Sequence, residues 1–156
     1  MISRREFMKM SGATVFCTCA GAMGLSACST WRDENNVPYA PEGSYRWDGD
    51  RVIVSLTTAN ELGDIGAAVR LVLGQDEDSE ERIIVVHSEE GIYKTFADHC
   101  THNGKEVYYL HEERLFRCHS GRSHFDLEGN VIKGPAERAL HLFPTRRVGD
   151  ELVIEM

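Results

Sequence analysis

At 156 residues the chain is long enough for one domain of ordinary size plus an appendage, and too short for a large multidomain enzyme. Its 42% hydrophobic and 27% charged residues supply the material for a core and exclude a disordered chain. Seventeen Lys and Arg against 25 Asp and Glu leave a net charge of −8, the wrong sign for tracking a phosphate backbone. Nucleic acid is therefore not expected as a partner.

The first residues read as an address. Arg4, Arg5 and Lys9 surround Glu6, and no charge occurs from Met10 to Trp31, a run of small and mildly apolar side chains. A charged stretch before an apolar one is the layout of an export signal. The competing reading is a membrane span, for which ~20 apolar residues suffice. Gly12, Gly21 and Gly24 with several Ser and Thr make the run only weakly hydrophobic, so cleavage is favoured over retention. Ser3-Arg4-Arg5-Glu6-Phe7-Met8-Lys9 resembles the twin-arginine signal for exporting folded proteins, and Leu25-Ser26-Ala27-Cys28 resembles a lipobox. The expectation is an export signal over 1–27, with Cys28 lipidated and first in the mature chain. The product would be a lipoprotein of a bacterial cell envelope, membrane-anchored and facing the periplasm or the cell exterior. Cys17 and Cys19 then leave with the signal, and Cys100 and Cys118 are the thiols of the mature domain.

Residues 28–45, with Pro38, Pro41 and Gly43 and no periodicity, read as a flexible tether. The domain is expected over 46–156. Runs rich in β-branched and aromatic residues occur at 51–56, 67–73, 82–87, 91–97, 106–110, 114–118, 124–127, 131–133, 140–148 and 151–155, separated by turn signals. Short strands at such spacing predict an all-β antiparallel sandwich or barrel. Only 58–64 offers a helical turn. The polar stretches 98–105 and 118–123 interrupt the pattern and are rich in Cys, His and Gly.

Both Cys100 and Cys118, and five of seven histidines, lie between His99 and His124. Cys100-Thr101-His102 ends one strand and Cys118 ends a later one, so two thiols and an imidazole fall at the tips of neighbouring loops. Loop tips on a rigid sheet can grip a metal centre without breaking a strand.

These motifs resemble the Rieske iron–sulfur domain, whose signature is C-x-H followed, after a hairpin, by C-x-x-H. Cys100-Thr101-His102-Asn103-Gly104 is similar to the first box. Cys118-His119-Ser120-Gly121-Arg122-Ser123-His124-Phe125-Asp126 lies on the second through Cys118, Ser123, Phe125 and Asp126. The following stretch to Pro135-Ala136 looks like the family's proline loop. The resemblance implies a Rieske-type β fold with a two-loop tip holding a [2Fe-2S] cluster, Cys100 and Cys118 on one iron and His102 on the other. Neutral imidazoles raise the potential of such a cluster to about −150 to +300 mV. It also implies a cluster hydrogen bond from Ser123. Lys105 and Ser120 occupy the places of an optional disulfide in relatives.

One position departs from the pattern: the second ligand histidine is Gly121. His119 or His124 could replace it, the iron could keep an open or water-filled position, or the cluster could be gone. His124 precedes Phe125 and alternation turns it away from the core, while His119 adjoins a cysteine and should diverge from it. Gly121, Arg122 and Ser123 leave the loop free to rearrange. The leading reading is one-electron transfer with a redox partner protein or a membrane or periplasmic oxidoreductase complex. The alternatives are a cluster-free β domain acting as a binding or structural module, and a mononuclear zinc-type Cys2His2 site of Cys100, His102, Cys118 and His119 or His124. Nothing orients Cys118 as a hydrolytic nucleophile, so an electron-transfer component is expected rather than an independent enzyme.

Overall fold

The computed structural model describes residues 37–74 and 81–156, and the expected export signal and lipidation residue lie outside them. Among the described residues twelve strands follow in order: β1 (Tyr45–Asp48), β2 (Arg51–Ser55), β3 (Ala68–Val72), β4 (Arg82–Glu89), β5 (Ile92–Ala97), β6 (Val107–Leu110), β7 (Leu115–Cys118), β8 (His124–Phe125), β9 (Val131–Lys133), β10 (Leu142–Phe143), β11 (Thr145–Val148) and β12 (Glu151–Glu155). Among the described residues the helical element is a 3-10 turn at Asn60–Gly63, where the sequence predicted one turn.

The strands form three antiparallel four-stranded sheets, ordered β1-β2-β12-β11, β10-β5-β4-β3 and β6-β7-β8-β9. The middle sheet explains why β4 is an uninterrupted apolar run rather than an alternating one. Ile83 and Val85 pack with Val52, Val54, Leu152 and Ile154 of the first sheet. Ile84 and Val86, on the opposite face, pack with Tyr109, Phe116 and Phe125 of the third. All four of these β4 side chains are fully buried, each contributing roughly 1.5–3 kcal/mol of transfer free energy. The third sheet is thereby seated on a rigid support, and it carries the second box.

Two expectations are corrected. Residues 37–45 do not hang free: Val37 is buried, Tyr39 bridges Arg70 in parallel, and the Ala40 N–H donates to the Arg70 carbonyl oxygen at 2.8 Å. β3 needs a partner on its outer edge, and this backbone supplies it despite the prolines. The single run 140–148 is two strands, β10 on the middle sheet and β11 on the first, because Pro144 between them has no N–H to continue a ladder.

Candidate metal centre

The site is built from three loops. The first, 98–106, leaves β5 and returns into β6; it closes on itself through the Cys100 N–H to the Lys105 carbonyl at 2.7 Å and the Gly104 N–H to the Cys100 carbonyl at 2.8 Å. The second, 119–123, joins β7 to β8 and is tighter. There the Gly121 N–H donates to the Cys118 carbonyl at 2.6 Å and the Cys118 N–H to the Ser123 carbonyl at 2.9 Å. The β6–β7 register sets Val107 opposite Cys118, and the His119 N–H donates to the Glu106 carbonyl at 2.9 Å, so the two loops are stitched side by side.

This brings Cys100 and Cys118 together. Both are free thiols, only 2% and 0% exposed. Burial pushes the Cys100 thiol up, against the backbone N–H groups of His102 and Asn103 that bond its sulfur, while its hydrogen bond with Cys118 raises it further. Burial also opposes ionisation of Cys118, but the Ser120 hydroxyl and N–H, the Cys100 thiol and the Lys105 charge outweigh it and lower this thiol. Ser120 Oγ lies 3.2 Å from Cys118 Sγ, and the Asn103 side-chain oxygen lies 3.5 Å away. Backbone N–H groups reach both sulfurs, and the Ser120 hydroxyl reaches Cys118; the balance favours thiolate at Cys118 and opposes it at Cys100.

The imidazoles are arranged differently. His102 is exposed at the tip of the first loop. His119 is also exposed, and its Nδ1 is hydrogen-bonded to the Tyr108 hydroxyl, with the two rings 5.3 Å apart. His124 is half-buried on β8, paired with Arg117 and Lys133 and adjacent to the fully buried Phe125. Gly121 is exposed at φ +71°, and a Cβ built there would meet nothing within 4 Å. Among the described residues no three His, Cys, Asp or Glu side chains converge closely enough to hold a metal ion unaided.

Ser123 is buried, and its Oγ accepts the Ala136 N–H at 3.2 Å, tying the second loop to the third, 134–141. Gly134 lets that third loop close: at φ +122° a Cβ there would overlap Ser123 Cα and the Arg122 carbonyl oxygen. Thr101 Oγ1 donates to the Arg138 carbonyl oxygen at 2.6 Å, so the third loop holds the first as well. The second loop is consequently not free to rearrange.

Beneath the first loop lies a buried ion network. Arg70 Nε stands 2.9 Å from Asp98 Oδ2 with both side chains almost fully buried, and Arg82 reaches Asp98 at 3.6 Å and Glu106 at 2.5 Å. Burial pushes the Asp98 carboxyl up, while Arg70 and Arg82 pull it back. Arg70 also donates to the Val107 carbonyl oxygen, and its guanidinium lies 5.6 Å from the Tyr39 ring centroid. Both ends of the first loop are therefore pinned to the middle sheet. Ser120, Asn103, Tyr108 and this network were not singled out as parts of the site from sequence. Ser120 alone carried a signal, a hydroxyl two residues beyond the cysteine it serves.

Comparison with known proteins gives the following. The profile of the Rieske [2Fe-2S] domain matches residues 56–144. Among solved structures, the plasma membrane Rieske protein PetC3 from Synechocystis PCC 6803 is similar at 27% identity, over 53% of this chain and 83% of that one, with a TM-score of 0.46. The ferredoxin of carbazole 1,9a-dioxygenase from Nocardioides aromaticivorans IC177 is similar at 15% identity, over 66% of this chain and 93% of that one, with a TM-score of 0.49. No curated protein matches.

Proposed function

Because the chain belongs to the Rieske [2Fe-2S] domain family, we propose that it carries single electrons as a subunit or partner of an envelope oxidoreductase. In this reading Cys100 and Cys118 would hold the inner iron of the cluster and His102 the outer one. The observation that carries it is the pair of buried, touching thiols with donors aimed at both sulfurs. The thiol half of the donor set fits the cluster, and the imidazole half offers His102 and stops at Gly121. When bound, such a cluster accepts and releases one electron.

The chain's own residues do the rest. The N–H groups of His102, Asn103 and Ser120, with the Ser120 hydroxyl, hold negative charge on sulfur. Packing of Phe116, Phe125 and Val107 around the cysteines excludes water from the thiol side. The exposed side, with His102, is where a partner could approach closely enough to exchange an electron. Envelope anchoring rests on Arg4-Arg5 and on Leu25–Cys28, both outside the described residues. No helix among the described residues is long and apolar enough to cross a membrane.

The test is chemical analysis of the chain purified after folding in cells competent in cluster assembly. Iron and acid-labile sulfide in equal amounts are expected. Zinc alone would favour the mononuclear site, and metal-free protein a binding module. Radiolabelled fatty acid should enter the parent chain and not Cys28→Ala; equal labelling of both would remove the lipoprotein assignment.

A further inference from the structure

The three loops carry positive charge on a chain whose net charge is −8. Lys105 on the first loop, Arg122 on the second and Arg138 on the third, with Lys133 just before the third, are all exposed. Among the described residues none of these four has an ion-pair partner. By contrast, Arg46, Arg51, Arg70, Arg82, Lys94 and Arg147 each face a carboxylate. Of the carboxylates in 98–106, 119–123 and 133–141, Asp98 and Glu106 are taken by Arg70 and Arg82, which leaves Glu137 against four cations. Contacts between the loops gather these cations on one tip. The Lys105 charge acts on Cys118, at the base of the second loop. The Arg122 carbonyl lies against Gly134, the neighbour of Lys133, and the Arg138 carbonyl accepts from Thr101 on the first loop.

We propose that this tip is a docking surface for a partner protein that presents a local acidic patch. The electron-transfer reading, on which the purpose of the contact rests, makes that partner the donor or acceptor of the electron. Like charges held together without counter-charges repel one another, and arriving carboxylates relieve that repulsion and speed encounter. The same loops expose Gly104, Gly121 and Pro135, and β-carbons at the two glycines would meet nothing within 4 Å, so a partner surface can come close to the loop backbone. A local patch suits this tip better than an extended anion does. An anionic bilayer or a nucleic acid is broad enough to meet the flanks as well, where the chain's excess of carboxylates opposes it. A globular partner touches the loops alone.

The experiment titrates the purified chain with fluorescent decaglutamate at low salt, followed by anisotropy, and maps the contact by zero-length carbodiimide cross-linking. Saturable binding that weakens with salt is expected, with cross-links at Lys105 and Lys133 and not at Lys94, which Glu128 already occupies. Reversing two tip charges together, Arg122→Glu with Arg138→Glu, should weaken binding roughly tenfold. Both side chains are exposed, and an unchanged urea midpoint shows that the variant folds. Arg146→Glu, an exposed cation on β11 away from the loops, should bind like the parent. Failure of the parent to bind overturns the proposal, as does equal binding by the tip variant or an equal loss in Arg146→Glu. Sedimentation of the parent with phosphatidylglycerol vesicles, abolished in the tip variant, also overturns it, by making the surface a membrane contact. Iron and sulfide analysis of the same sample keeps the two readings apart: tip-directed binding by a chain without either removes electron transfer and leaves the docking surface standing.

Discussion

Cys100 and Cys118 are buried, hydrogen-bonded to each other and approached by amide and hydroxyl donors, whereas His102, His119 and Gly121, a few residues along the same loops, all face solvent. The thiol side inherits its geometry from the sheets: Cys118 ends β7, and the first loop is anchored through Asp98 to Arg70 on β3. The imidazole side inherits little, because a side chain at a solvent-facing tip is positioned only by what it touches. A thiol lost from the inner side would leave a gap in the buried cluster that backs both loops. A donor lost from the tip leaves the backbone intact, since Gly121 keeps its turn hydrogen bond.

That contrast can be broken most severely at the cysteines. Cys100→Ala or Cys118→Ala should lose all bound iron and sulfide, while His119→Ala keeps them; metal analysis of the purified variants decides. Asp98→Ala comes next, since it strands the buried Arg70 guanidinium without a counter-charge. Removing one partner of a buried pair costs about 3–5 kcal/mol, which should appear as a lower urea midpoint. Gly134→Ala forces a β-carbon onto Ser123 and the Arg122 carbonyl oxygen. Overpacking of this kind costs about 1–3 kcal/mol and should lower the melting temperature and speed iron loss on warming. Ser120→Ala is the mildest. It deletes a hydrogen bond worth about 0.5–1.5 kcal/mol that favours the more negative, reduced state, so the potential should fall by a few tens of millivolts in a redox titration.

Much of this was legible in the sequence. The β-branched runs marked the strands from β2 to β12 because most bury one face, and β4 stood out as apolar on both. β1 was not foreseen: Trp47 and Asp48 are exposed, and pairing with β2, rather than burial, makes the segment a strand. Cys100 and Cys118 met as their motifs implied. The pairing of His119 with Tyr108 was hidden because it depends on the β6–β7 register, which places Tyr108 beside the second loop. The places of the two serines were hidden for a similar reason: the turn carries Ser120 to the Cys118 sulfur, and Ser123 is buried against the third loop. Arg70 and Asp98 are 28 positions apart, and no local pattern announces a charge pair made by folding.

Pulsed EPR of the reduced, imidazole-free chain, counting the nitrogens strongly coupled to the electron spin, tests the three-donor centre most directly. The account predicts one coupled histidine nitrogen, lost in His102→Ala. Two strongly coupled nitrogens in the untreated protein, or no cluster signal at all, would contradict it.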